Sequence, residues 1–235
     1  RLLEEGPATY RFSHDKVRQV AYMEMAEAER RRLHRQAGEA LEALHPERVE
    51  ALAYHFTQGQ VWDKAVVYNR QAGDRARAVY ANQAALTYYE RALSLVDHED
   101  LESQWEIHHR REEVLDVLGR REEQAASLAE MMRLAVALGD ESRRAATLYR
   151  QGRLKTRTGV PREGIALLQE GANIARWRGD FSLAGECYVM IGRAHWHQGD
   201  VPRCLAAAEE AQELFRQAND PKGEIGALNL MGNLY

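Results

Sequence analysis

Nine histidines and two cysteines are the residues of this 235-residue chain best suited to metal binding or to nucleophilic and acid–base chemistry. Their spacing argues against it. His195 and His197 are two apart, and on a helix such neighbours point about 200° from each other, so one ion does not see both. His108-His109 has the same defect, and no Cys or carboxylate stands at ligand spacing beside either pair. His14-Asp15 joins a group that titrates near neutrality to a carboxylate, but an Asp in a first helical turn is already accounted for by the helix dipole. Cys187 and Cys204 occupy positions that otherwise take small or apolar residues, which describes free buried thiols. Two cysteines make no disulfide framework and suit a reducing cytoplasm. With no nucleophile–base constellation and no G-x-x-x-x-G-K-[ST] phosphate loop, the residues point away from an enzyme and imply neither a cofactor nor a metal.

Two basic clusters remain. Arg30-Arg31-Arg32 with Arg35 lies in a segment, residues 1–48, whose nine basic side chains are matched by nine acidic ones, and reads as a solvated face. Residues 141–162 are less balanced: Arg143, Arg144, Arg150, Arg153, Lys155, Arg157 and Arg162 stand against Glu141 alone. That window is either a solvated face or a seat for an anionic peptide or ligand, ahead of nucleic acid. The whole chain has a net charge of -4 with 29% charged residues of both signs, which disfavours a dedicated nucleic-acid or membrane protein. No apolar run approaches the ~20 residues that span a bilayer.

These residues must be carried by helices. Only five prolines occur, Ala, Leu, Glu and Arg are abundant, and β-branched residues rarely cluster. Self-similarity organises the helices. Gly119, Gly159 and Gly199 recur every 40 residues, as do Gly139-Asp140, Gly179-Asp180 and Asn219-Asp220, then Gly152, Gly192 and Gly232, and Ala126, Ala166 and Ala206. Gly or Asn ends each helix in the left-handed conformation, and Asp140, Asp180 or Asp220 caps the next. Pro161, Pro202 and Pro221 fall in first turns. Leu128, Met131, Ala135 and Leu138 make one apolar stripe. The pattern predicts helix pairs at 101–118/121–138, 141–158/161–178 and 181–198/201–218, with a lone helix from Pro221. Such pairs hide their apolar stripes only by stacking. The mid-helix glycines at 152, 192 and 232 predict close crossing of a partner helix.

Residues 1–100 are less regular. Leu2 to Phe12 reads as a small hairpin turning at Gly6-Pro7. Ser13 is expected to cap a helix to about Met25, followed by helices at about 27–44, 47–58, from Trp62, and over Tyr80–Leu93. The resulting organisation is 1–45, 46–100 and 101–235, the last stretch holding regular repeats with a truncated final one. The chain starts at Arg1 without a signal-peptide pattern and stops within a helical pattern at Asn233-Leu234-Tyr235, which reads as a piece of something longer.

Leu228-x-x-Met231-Gly232-x-x-Tyr235 resembles the first-helix pattern of tetratricopeptide repeats. Tyr188-x-x-Ile191-Gly192-x-x-His195 is similar with one departure, and Leu148-x-x-Gln151-Gly152-x-x-Lys155 with two. The resemblance implies an all-α fold, a tetratricopeptide-like right-handed superhelix of antiparallel helix pairs with a 40-residue period; HEAT-type repeats are the fold alternative. It also implies that first helices line a concave groove, selecting Tyr149, Arg153, Val189, Arg193, Asn229 and Asn233, with Trp196 at the rim. Arginines and an aromatic there would suit a carboxylate-bearing peptide or a polar small ligand. Leu228, Met231 and Leu234 are expected to leave an apolar face through which the truncated repeat self-associates.

Tyr10-Arg11-Phe12-Ser13-His14-Asp15, with Val17-Arg18 and Val20-Ala21-Tyr22, resembles the close of the winged-helix region in large bacterial signal-transduction ATPases. Arg30-Arg31-Arg32-Leu33-His34, Leu52-Ala53-Tyr54-His55-Phe56 and the Tyr80–Leu93 run are similar to the same group. There the ATPase is joined to a helical-repeat sensor, often with a LuxR-type regulator or a nucleotide cyclase. The resemblance implies a protein-interaction or sensor module of a signalling or transcription-regulating ATPase. The alternatives are a small-molecule inducer receptor and a free-standing peptide-binding adaptor.

Overall fold

The computed structural model describes residues 3–5, 10–12 and 15–232. It is an all-helical fold of twelve helices among those residues, preceded by a two-stranded antiparallel hairpin, β1 (Leu3–Glu5) and β2 (Tyr10–Phe12), in which Leu3 pairs with Phe12. No strand occurs beyond Phe12 among the described residues. Gly6, Pro7 and the Ser13 cap lie outside them. The chain forms two compact units, Arg1–Val96 and Asp97–Tyr235.

Unit 1 carries α1 (Asp15–Glu24), α2 (Glu27–Leu44), α3 (Val49–Gln58), α4 (Trp62–Ala78) and α5 (Asn82–Leu95), and from α2 onward each packs on the next. The apolar positions of α3 recur at three and four residues, so Val49, Leu52, Ala53 and Phe56 share one buried face. Phe56 stacks on Tyr68 with ring centroids 5.4 Å apart. Glu42 of α2 accepts from Lys64 and from the Tyr68 hydroxyl of α4, tying the helices flanking α3 together.

Unit 2 carries α6 (Leu101–Leu118), α7 (Arg121–Leu138), α8 (Glu141–Arg157), α9 (Pro161–Arg178), α10 (Phe181–His197), α11 (Val201–Gln217) and α12 (Pro221–Gly232). Links of two or three residues force consecutive helices antiparallel. The predicted boundaries hold to within a residue as far as α12, because the stop signals are local. Gly119, Gly139 and Gly179 end their helices at φ of 71°, 63° and 79°, and Asn219 stops α11 at 52°. The carboxylates of Asp140, Asp180 and Asp220 accept from the backbone N–H groups of Arg143, Leu183 and Gly223 at 2.9, 3.0 and 2.9 Å. Asp100 and Asp200 cap α6 and α11 in the same way.

The cores between helices are apolar and continuous in kind: Leu128, Met131, Leu134 and Ala135 of α7 bury with Trp105 and Leu154, and Leu168 and Ala172 of α9 bury with Cys187, Met190 and Ile191. Each large side chain so buried contributes roughly 1.5–3 kcal/mol. The glycine prediction holds at two of three positions. A Cβ on Gly152 would meet Leu168 at 2.6 Å and one on Gly192 would meet Leu230 at 2.7 Å, whereas at Gly232 no described atom lies within 4 Å. No helix among the described residues is long and apolar enough to cross a membrane.

Candidate recognition surface

The first helices of the pairs, α6, α8, α10 and α12, carry the polar residues of interest. Between α6 and α8 these residues form a ladder of ion pairs. Arg150 donates to Glu112 at 2.5 Å and to Glu113 at 3.0 Å, while Arg153 and Arg157 both reach Asp116 at 2.7 Å. Glu112 is fully buried, and the carboxamide of buried Gln124 donates to its other oxygen at 2.6 Å. Burial would raise the Asp116 carboxyl, but the hydrogen bond from Arg121 and the charges of Arg153 and Arg157 outweigh it and hold the pKa low. Arg143 pairs with Asp140, Arg144 with Glu141 and Glu170, and Lys155 with Glu163. Six of the seven basic side chains in 141–162 are therefore ion-paired within the fold, Arg153 and Arg157 sharing Asp116 with Arg121, which favours a structural role for that window over an anion seat.

The neighbouring surface is built differently. A cavity of about 320 Å3 opens between α8, α10 and α12, floored by Val189, Met190 and Phe215 and by the bare backbone of Gly223 and Gly226. Phe215 reaches it because Gly185 and Gly223 leave room for its ring on both sides. Four charged residues line the cavity: Glu186, Arg193, Asp220 and Lys222. Asp220 is committed to capping α12 and to the Ser182 hydroxyl, at 2.9 and 2.5 Å, and those hydrogen bonds lower its pKa. Burial raises the Glu186 carboxyl, with the Tyr149 phenol and Arg150 pulling the other way. Arg193 and Lys222 form no ion pair among the described residues, although the charge of Lys222 helps to hold the Asp220 pKa low, so both cations keep their N–H donors free at an apolar-floored cavity.

Of the residues selected from sequence, Tyr149, Val189 and Arg193 come together on this cavity. Arg153 lies beside it, its guanidinium 5.9 Å from the Tyr149 ring centroid, but is held by Asp116. Trp196 (40% exposed) and Asn229 stand in solvent away from the lining, and Asn233 lies outside the described residues. Sequence reasoning missed Lys222, Phe215 and Glu186; the only local signal was that Lys222 follows the helix start Asp220-Pro221. Near the same end, Leu228 is exposed, Met231 is half-buried and Leu230 is buried, while Leu234 lies outside the described residues. Cys187 and Cys204 are both free and buried.

A second cavity of unit 2, about 500 Å3, lies between α7, α8 and α9 and is mostly apolar, with Ala125, Leu128, Leu154, Ala166 and Leu167 in its walls. Its charged pair, Lys155 and Glu163, is closed on itself at 2.8 Å. It lacks the unpaired charge that distinguishes the α8–α10–α12 cavity.

No family model and no curated protein matches this chain. Solved structures do. RapI in its apo form is 10% identical, with a TM-score of 0.64 over 87% of this chain and 81% of RapI. A Rap protein complexed with competence and sporulation factor is 12% identical, with a TM-score of 0.60 over 93% of this chain and 66% of that one. A signal transduction ATPase with numerous domains from Pyrococcus horikoshii, carrying a tetratricopeptide repeat sensor, is 14% identical with a TM-score of 0.63; this chain is covered to 97% and spans 46% of that protein. At such identities the likeness shows the fold, a tetratricopeptide-like helical repeat.

Proposed function

We propose that the chain is a non-enzymatic recognition module in which the cavity between α8, α10 and α12 receives a peptide or protein segment bearing a carboxylate beside an apolar side chain. The observation that carries this reading is the contrast on one face: Arg150, Arg153 and Arg157 of α8 pair with α6 carboxylates, while Arg193 and Lys222 form no ion pair among the described residues and flank an apolar floor. An unpaired guanidinium at such a rim pairs with a carboxylate in bidentate fashion. Val189, Met190 and Phe215 offer contact area for an apolar side chain, and Glu186 is placed to accept from a peptide N–H.

The likeness to a Rap protein held in complex with competence and sporulation factor supports recognition as the role of such a fold. The likeness to a repeat sensor of a signal transduction ATPase, with the resemblance over residues 10–95, supports a place in a cytoplasmic signalling or transcription-regulating ATPase. The two free buried thiols suit that compartment. A small-molecule inducer is the second reading, favoured by the cavity's size, about 320 Å3, at the lower end of ligand pockets.

The test is an array of hexapeptides with free C-terminal carboxylates, against the same array amidated. Binding that needs the carboxylate and weakens about tenfold in Arg193→Ala and in Lys222→Ala, at unchanged melting temperature, supports the site. Equal binding of both arrays, or full affinity in the double variant, removes it.

A further inference from the structure

Unit 1 has a cavity of its own, about 470 Å3, where α2 meets the end of α3 and the start of α4. This lies within the size range of small-ligand pockets. Its wall is polar and cationic where the unit 2 cavity is floored by apolar groups.

Three side chains set its chemistry. Trp62, the first residue of α4, leaves its indole 45% exposed at the cavity edge, a flat surface for another ring. Arg30 lays its guanidinium 5.4 Å from the Tyr22 ring centroid and makes no ion pair or side-chain hydrogen bond among the described residues. Stacking covers the face of a guanidinium and leaves its in-plane N–H groups available. Arg31 donates to Gln60 at 2.9 Å and reaches Glu27 at 3.1 Å, but its Nε is buried without an acceptor among the described residues. That atom is shielded from solvent, so what Arg31 offers the cavity is its positive charge.

The neighbouring histidines add no charge to the cavity. The Tyr22 hydroxyl meets His34 Nε2 at 2.9 Å, and His34 Nδ1 faces His55 Nδ1 at 3.0 Å, which requires one of the two rings to accept. Burial lowers the pKa of both histidines, and the nearby His34 lowers that of His55 further, which favours their neutral forms. With Glu27 balancing one arginine, a single positive charge remains for a ligand.

We propose that this cavity binds a small aromatic oxyanion, its carboxylate or phosphate accepting from Arg30 within the field of Arg31 while its ring lies on Trp62. The site is independent of the cavity between α8, α10 and α12, and the two readings fail separately.

Calorimetric titration of the whole chain with indole-3-acetate, phenyl phosphate and the neutral indole-3-acetamide tests it. At least one anion should bind with a sub-millimolar dissociation constant, and the amide at least about tenfold more weakly. Binding of only the first anion identifies a carboxylate site, of only the second a phosphate site; both outcomes support the proposal. Arg30→Gln and Trp62→Leu, which remove the charge and the ring and leave a shorter side chain in place, should each weaken binding about tenfold at unchanged melting temperature, and Arg193→Ala should leave it unchanged. The proposal falls if neither anion binds at about 5 mM, if the amide binds as tightly, or if both variants keep full affinity.

Discussion

Gly152 and Gly164 face each other across α8 and α9 so closely that a Cβ on either would come within 2.9 Å of the other's carbonyl oxygen. Neither helix can yield without opening the α8–α9 core around Leu168, because the obstacle is backbone on both sides.

Gly152→Ala and Gly164→Ala are each expected to destabilise unit 2 by about 2 kcal/mol, overpacking outweighing the roughly 1 kcal/mol that Ala gains in a helix interior. Gly226→Ala, where no atom lies within 4 Å of the new Cβ, should instead be neutral or mildly stabilising. Urea unfolding of the three variants checks the order. A stabilised Gly152→Ala would show that the helices separate at small cost.

Glu112→Ala is expected to cost about 3 kcal/mol, since it takes from Arg150 its buried partner and leaves the buried carboxamide of Gln124 without its acceptor. Glu113, about one-third exposed and the second partner of Arg150, should cost less than about 1 kcal/mol on the same change. Equal losses at the two positions would mean that the ladder acts as a single exposed network.

Burial, then the charge of Arg111, depresses the His108 pKa from 6.5 to about 4. The unfolded chain takes up this proton near 6.5 and the folded chain only near 4. Stability from neutral His108 is therefore complete above 6.5, declines as pH falls toward about 4, and levels off below. The loss across that window is up to about 3 kcal/mol, and burial of His34 and His55 in unit 1 gives a loss of the same sign. Unfolding curves between about pH 7 and about pH 5 should flatten in His108→Leu. An unchanged slope would assign the pH dependence elsewhere.

Burial, then the charges of Glu186 and Asp180, pushes the Cys187 thiol up to about 12, and burial also raises that of Cys204. An aromatic disulfide reagent should leave both untouched in the native protein and titrate both in urea. Rapid labelling of the native protein would reveal local opening of α10 or α11.

The helix ends and the caps at Asp140, Asp180 and Asp220 were legible because each is written within four residues of sequence. The role of the basic window 141–162 was not. Its partners Glu112, Glu113 and Asp116 lie 37 to 41 residues earlier, and only the register between α6 and α8 brings them opposite. The 40-residue period held that information, since a window read alone shows its charges and the preceding repeat shows their counterions. The cavity residues followed the same division. Tyr149, Val189 and Arg193 came from the periodic first-helix positions, whereas Lys222 and Phe215 depend on how α11 turns into α12 and on two glycines that admit a ring.

Every helix of unit 2 packs on its sequence neighbour, and the longest reach among them is to the next helix but one, as from α8 to α10 and from α10 to α12. This makes its topology a matter of folding speed. No step has to close a loop much longer than a single repeat, so the entropy of chain closure stays small and relaxation belongs to the microsecond-to-millisecond class of helical proteins. Nucleation is open to any pair, and growth proceeds helix by helix in either direction. Amide exchange should then grade from helix to helix along the unit and not divide into one protected kernel and an open remainder.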